Sequence, residues 1–210
     1  MIHTAAIAGL LIGFLRGGKL RNLASHQLRI IPVLFLSFIC EAVVVFGLVE
    51  KIAGSEAATD VLRTVVATAQ YILVISFLLV NASANIELKA KVSLYLIAAG
   101  SAANALVIIA NQGQMPISLL LTDKIDALKN VPLDRIAAAS HYTLASADTV
   151  LIRLGDWLPV WSFGWYMVSP GDFFISAGLA IFAYWLTQNP DEQKLNNLEH
   201  PENIVYTNGR

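Results

Sequence analysis

The sequence predicts an all-α fold, an integral membrane helical bundle of about five transmembrane helices with one or two interfacial or re-entrant helices. No charged side chain occurs in the 31 residues between Lys91 and Asp123, or in the 23 residues between Arg63 and Glu87. A bilayer core of about 30 Å needs about 20 apolar residues of helix to cross it. Only 14% of the 210 residues are charged, against about 25% in soluble domains, and the mean hydropathy is +0.62.

Hydropathy places five spans along the chain, at about residues 2–15, 30–49, 64–84, 92–110 and 173–188. The first span ends at Gly17-Gly18. Pro32 fits the first turn of the second helix, where its missing N–H costs little. Residues 1–188 are therefore expected to form one transmembrane domain. Residues 189–210 are expected to form a polar cytoplasmic tail, in which Pro190 and Pro201 oppose a long helix.

Basic residues in the short connections predict the orientation. The connection after the first span carries four of them and no acid: Arg16, Lys19, Arg21 and Arg29. The connection after the third span holds Lys89 and Lys91 against Glu87, whereas the one between them, from Glu50 to Arg63, has an acidic excess. The positive-inside rule then places the N-terminus outside and the C-terminus inside a multi-pass cell membrane protein.

The segment from about residue 111 to 171 is expected at the outer membrane face. Because a long connection without structure is unusual, we expect one or two amphipathic or re-entrant helices in it. Leu133 to Leu154 is an alternative sixth span, which its charged residues oppose. Trp157, Trp161 and Trp165 are expected to hold the segment at the membrane–water boundary, where amphipathic rings collect.

The composition argues against several classes of protein. The net charge of −1 gives no reason to expect nucleic acid as a partner. Cys40 is the single cysteine, which excludes an intrachain disulfide and a cysteine metal cluster. We expect no metal, because the four histidines are scattered, and no cofactor, because nucleotide-binding glycine patterns are missing. The histidines are His3, His26, His141 and His200.

Three polar residues lie inside the predicted spans: Glu41, Gln70 and Asn104. An ionised carboxylate at that depth costs at least a few kcal/mol. Glu41 must therefore face other helices, water or a cation, or stay protonated. One interpretation is an ion or proton pathway. The other is a hydrogen bond between helices, to Gln70 or Asn104.

A second group of polar and turn-forming residues lies in the outer segment and forms the candidate binding site. Two of them, Asp156 and Asp172, follow glycines and are sixteen residues apart. Ser169 or Asp172 can also cap the last helix. If the two carboxylates converge, they share a proton, as in an aspartic hydrolase. The candidate binding residues are Asn111, Gly113, Met115, Pro116, His141, Asp156 and Asp172.

The order of short motifs resembles a family of bacterial polytopic membrane proteins known as domain of unknown function 5317. The resemblance covers most of the chain up to about residue 188, and it implies a bacterial cytoplasmic membrane protein without an assigned activity. The motifs are FLRGGKL at 14–20, N-x-G-x-M-P at 111–116, His141, G-D-x-x-P at 155–159 and S-x-G-D at 169–172.

The layout is also similar to that of lipoprotein signal peptidases, which are membrane-embedded aspartic proteases. Those enzymes carry an Asn-x-Gly turn and two outer aspartates, as Asn111-Gln112-Gly113, Asp156 and Asp172 do here. Their Gly-Asn-x-x-Asp-Arg motif has no match, and the asparagine before the final aspartate is missing.

Two functions follow from these patterns. The first is a non-catalytic accessory or binding module, whose polar outer site engages another membrane protein or a lipid. The alternative is a membrane-embedded aspartic hydrolase that uses Asp156 and Asp172 as its acid pair, with Asn111 or His141 orienting the substrate. A carrier based on Glu41 is disfavoured, because no second convincing charge lies within the spans.

Overall fold

A computed structural model describes residues 1–84, 86–120 and 141–188, and the described chain is mostly helical. Seven α-helices and four short strands occur in this part of the chain. The helices are α1 (Ile2–Leu15), α2 (Leu20–Leu23), α3 (Ile31–Val45), α4 (Leu48–Ala53), α5 (Glu56–Ala82), α6 (Leu88–Ala110) and α7 (Pro170–Thr187).

The five long helices contact one another in the order α1–α7–α6–α5–α3. Along the chain, each long helix runs opposite to the one before it, and contacts at the termini show that α7 is antiparallel to α6 and parallel to α1. Asn104 near the end of α6 bonds to Asp172 at the start of α7, and Asn22 after α1 bonds to Thr187 at the end of α7. We call the end where α1, α5 and α7 begin and α3 and α6 end the site end, and the opposite end the far end.

The sequence explains where these helices begin and how they pack. Pro32 lies in the first turn of α3, and the Ser55 hydroxyl caps α5 by accepting from Ala58 N. Gly171 lets α7 approach α6, because a Cβ there would collide with Asn104 Oδ1 and with the Gly100 carbonyl. The buried apolar cluster between α5 and α6 comprises Phe77, Leu78, Ala82, Leu94, Ile97 and Ala98.

Each of the five predicted spans falls on a helix, but only two helices in the described residues have the length and apolarity to cross a membrane. These are α5, with 27 residues, and α6, with 23. The helices α1 and α3 are apolar but have 14 and 15 residues. The count of five transmembrane helices therefore stays a prediction.

The described part of the outer segment contains four short strands and, before Pro170, no α-helix. β1 (Met115–Ile117) pairs in parallel with β2 (Tyr142–Leu144), and β3 (Leu158–Trp161) pairs antiparallel with β4 (Trp165–Val168). A single 3-10 turn, Ile152–Leu154, precedes β3.

The expectation of interfacial or re-entrant helices is therefore wrong for residues 111–120 and 141–169, and a continuous helix over 133–154 is wrong because β2 interrupts it. The Tyr-Thr-Leu triplet of β2 favours a strand, and Pro116 and Pro159 cannot donate within a helix. Residues 121–140 and the predicted tail at 189–210 lie outside the described residues.

Candidate functional site

A cavity of about 690 Å³ lies at the site end, and all five long helices and the outer segment contribute to its lining. This volume is in the range of small-molecule sites, about 300–1,000 Å³. Its larger polar side chains come from all five of those helices and the outer segment. They are His3, Glu41, Gln70, Tyr71, Asn104, His141, Tyr142, Asp156, Tyr166 and Asp172.

The β3–β4 hairpin brings the two aspartates to this cavity. Asp156 precedes β3 and Asp172 follows β4, and the pairing of Leu158 with Val168 closes the loop between them. The tip of the hairpin is tied to α1, since Thr4 Oγ1 and Ser162 Oγ lie 2.9 Å apart. The aromatic segment thus brings the chain after β4 back beside the residues before β3. The sequence separation of the two aspartates could not predict this.

The carboxylate of Asp172 is fully engaged in local structure. Its Oδ1 accepts from Asn104 Nδ2 at 2.9 Å, and its Oδ2 accepts from the Ser169 N–H at 3.0 Å. In return the Asp172 N–H donates to Ser169 Oγ at 3.1 Å, and that hydroxyl donates to Asn104 Oδ1 at 2.8 Å. This is a capping box at the start of α7, so the predicted capping role is confirmed.

Asp156 has a well-fixed backbone and an unsatisfied side chain. Its N–H donates to the Pro116 carbonyl at 2.9 Å and its carbonyl accepts from Ser118 N at 2.8 Å. The residue is 5% exposed, and Oδ1 has no hydrogen-bond partner among the described residues. Burial, and then the negative charge of Asp172, raise the pKa of Asp156 to about 8.

The pKa values of two other residues that line the cavity are also shifted. Burial raises the pKa of Tyr142 to about 12, with further contributions from the negative charges of Asp156, Asp172 and Glu41. Burial lowers the pKa of His141, whose Nδ1 is buried and lacks a partner within the described chain. The site therefore favours neutral Tyr142 and His141 around an acidic centre.

The cavity gathers most of the residues singled out from the sequence. Glu41, Gln70 and Asn104 line it, as do five of the seven candidate binding residues. His141 lies in a turn before β2. The five candidate binding residues in the lining are Gly113, Met115, His141, Asp156 and Asp172. Their binding roles remain predictions.

Asn111 and Pro116 are not among the residues that line the cavity. Asn111 Nδ2 donates to the carbonyls of Val107 and Val150, and its Oδ1 accepts from Val150 N. These bonds join the end of α6 to the turn before the 3-10 helix. Pro116 is buried in β1, where its carbonyl holds Asp156. Both residues support the structure around the cavity without lining it.

Sequence reasoning missed Tyr71 and Tyr142, which face the same cavity as the acids. Tyr71 directly follows Gln70 within an uncharged span, and Tyr142 directly follows His141. A phenol hydroxyl within a predicted span needs a polar partner, and this requirement could have identified Tyr71 as a candidate. The N-terminal residues Met1 to Thr4, which also contribute to the lining, carried no comparable signal.

The lining defines what the cavity can accept. Three carboxylates face it, and no lysine or arginine does so within the described residues. Those residues also contain no group of three or more histidine, cysteine, aspartate or glutamate side chains arranged to hold a metal ion. The cavity is thus acidic, part apolar and wider than a metal site.

Comparison with known proteins gives one match. No curated protein and no solved structure is significantly similar to the chain. A family model matches residues 25–184, which is most of the chain and includes Glu41, Asn104, Asp156 and Asp172. The chain therefore belongs to DUF5317, a family of unknown function.

Proposed function

We propose that this protein is a multi-pass membrane binding module, without catalysis of its own, that takes a small molecule into the cavity at the outer membrane face. The observation that carries the proposal is Asp156. A carboxylate that is 5% exposed and has no partner for Oδ1 in the described chain is costly unless something compensates it. A ligand in the adjoining cavity supplies that compensation.

The surface supports the membrane part of the proposal. Large apolar side chains of α1 and α3 are exposed, among them Leu11 at 57% and Phe35 at 63%. Only 28% of the apolar window of α5 is buried within the protein, unlike the core helix of a soluble protein. Lipid around these helices removes that apolar surface from water.

The charge distribution supports the orientation, with the N-terminus and site end outside and the C-terminus inside the bacterial cytoplasmic membrane. The basic connection from Arg16 to Arg29 lies at the far end, together with Lys89 and Lys91. In a Cys40→Ala background, Phe163→Cys should react with an impermeant maleimide in intact cells, whereas Ser25→Cys should react only after permeabilisation. The reverse pattern would contradict the orientation.

Binding is tested with purified protein in lipid nanodiscs. Three panels of compounds that fit the cavity (cationic, neutral and anionic) are screened by thermal shift against wild type and Asp156→Leu. At least one panel should stabilise wild type and leave the variant unchanged. If no compound in any panel stabilises wild type, the binding function is wrong.

The second candidate is the aspartic hydrolase. The pKa of Asp156 favours it, because burial and the negative charge of Asp172 raise that pKa to about 8. Aspartic hydrolases use one carboxyl group as the acid and another as the base, with separated pKa values. It is disfavoured by the capping box and Asn104, which occupy both oxygens of Asp172. Turnover of a peptide or ester panel that Asp156→Asn and Asp172→Asn each abolish would establish the hydrolase instead.

A further inference from the structure

We propose that the ligand of this cavity is an organic ammonium cation, which binds between Asp156 and the tyrosines that line the cavity and displaces a proton to solvent. This inference rests on the proposed binding function and specifies the chemistry of its ligand. Four observations support it: the sign of the lining charge, the spacing of the acids, the aromatic rings, and the burial of Asp156.

The sign of the charge selects a cation. Glu41, Asp156 and Asp172 all face the cavity, and within the described residues no lysine or arginine does. An anionic or phosphate-bearing ligand would meet three acidic side chains without a lysine or arginine to offset them. The other titratable groups in the lining are the Met1 amino group, His3, His141, Tyr71, Tyr142 and Tyr166.

The spacing of the acids selects an organic cation over a metal ion. A bound metal needs several donor atoms within about 2.0–2.6 Å, and the described acids and histidines nowhere form such a group. They surround a cavity of about 690 Å³ instead. A charge distributed over methyl or methylene groups fills such a volume, whereas a bare ion does not.

The aromatic rings provide the complementary surface. Tyr71, Tyr142, Phe163 and Tyr166 line the cavity. Ammonium groups are attracted to aromatic faces by about 0.5–2 kcal/mol, more when they are desolvated. Apolar neighbours such as Ile7 and Ile175 suit the hydrocarbon part of an organic cation.

The burial of Asp156 couples binding to protons. Without ligand the carboxyl is mostly protonated at pH 7, because burial and Asp172 raise its pKa to about 8. On binding, its O–H bond breaks, the proton passes to buffer, and the carboxylate pairs with the cation. The exchange leaves the net charge of the site unchanged and removes the uncompensated acid.

The test uses the full chain in phosphatidylglycerol nanodiscs, with radiolabelled choline as the probe. Choline carries a fixed charge, and 3,3-dimethylbutan-1-ol has the same shape without it. Choline should bind saturably, and the neutral compound should compete about tenfold less well or worse, as expected for losing a cation–π and ion-pair contact of at least 1.4 kcal/mol.

The pH dependence identifies the acid. Choline affinity should rise by up to about tenfold per pH unit from pH 6.5 to about 8 and then level, because one proton is released below the raised pKa. Protonation of His141 would weaken binding in the same direction at lower pH, so the variant decides. Asp156→Asn should bind choline more weakly and lose the slope, whereas Ser83→Ala, an exposed position at the far end that is not part of the lining, should keep both.

The outcomes separate the two proposals. If the neutral compound competes as well as choline, the cavity binds small molecules but the cation inference is wrong. If choline does not bind and a neutral or anionic panel compound does, the same conclusion holds. If nothing binds at all, both proposals fail. Loss of choline binding in phosphatidylcholine nanodiscs would identify a lipid headgroup as the source of the ammonium, and retention would identify a free molecule.

Discussion

Asn81 at the far end and Asp156 at the site end are almost equally buried, at 2% and 5% exposed, yet their surroundings differ. Asn81 Oδ1 accepts from Arg29 N at 2.7 Å, and its Nδ2 donates to the carbonyls of Arg29 and Phe77 at 3.1 and 2.8 Å. Asp156 Oδ1 has no such partner in the described chain and adjoins a cavity. The hydrogen bonds of Asn81 join α5 to the chain before α3, whereas, among the described residues, Oδ1 of Asp156 remains free to accept a bond from a ligand.

A similar contrast holds between other polar groups at the two ends. At the far end, Thr187 O accepts from Asn22 Nδ2 at 2.7 Å and from Lys19 N at 3.0 Å, and His26 lies 3.2 Å from Gln188 O. At the site end, His141 Nδ1 lacks a partner among the described residues. Burial alone therefore does not separate structural polar groups from candidate binding groups. A missing hydrogen-bond partner does so only together with a position on the cavity, since Arg63 Nε, Ser176 Oγ and Trp185 Nε1 are also buried without a partner in the described chain and do not line it.

The largest expected effect is on the saturated group. Asn81→Leu should lower the free energy of unfolding by about 3 kcal/mol, because it removes three hydrogen bonds and leaves the Arg29 backbone unpaired. Ser83→Ala is the matched control at the same helix end: its hydroxyl bonds to Leu79 O in an exposed position, and its loss should cost about 0.5 kcal/mol or less. Denaturant unfolding in detergent measures both. If Asn81→Leu lowered the free energy of unfolding no more than Ser83→Ala, the structural role assigned to Asn81 would be wrong.

The unsaturated group should behave in the opposite way. With its pKa raised from 3.8 to about 8, folded Asp156 binds more protons than unfolded Asp156 between those values, so stability falls as pH rises. The slope from this group is about 1.4 kcal/mol per pH unit up to about pH 8, and it levels above that. Asp156→Asn should remove the slope between pH 6.5 and 9 without destabilising the protein at pH 6.5. Unfolding curves across this range test it, and an unchanged slope would contradict the burial of a protonated acid.

The smallest effect is expected at Asn111, which resembles Asn81 in bonding but lies at the site end. Asn111→Ala removes three hydrogen bonds, but the residue is only partly buried, so water replaces the lost partners. We expect a loss of about 1 kcal/mol in unfolding free energy, with the same thermal shift on ligand addition as wild type. A lost ligand response at unchanged stability would return Asn111 to the binding residues.

Two parts of the molecule show how far the sequence could be interpreted. The five predicted apolar segments each carry a helix, because apolar composition, Pro32 and the Ser169–Asp172 capping box act over one or two turns. For the outer segment the sequence predicts one or two amphipathic or re-entrant helices, whereas its described residues hold four short strands. Its strands have three or four residues, and one pair joins distant segments, as Met115 does with Tyr142. Strands that short leave little periodic signal in one sequence.

The sequence by itself determined that this chain consists of apolar helices with a few polar side chains in costly positions, because hydropathy, caps and glycine or proline breaks depend on neighbouring residues. Only the tertiary structure decided that Glu41, Asn104, Asp156 and Asp172 share one cavity. That convergence depends on the β3–β4 hairpin and on the close packing of α6 against α7 at Gly171. Both bring together residues that are distant in the chain, and one sequence contains no measure of that distance in space.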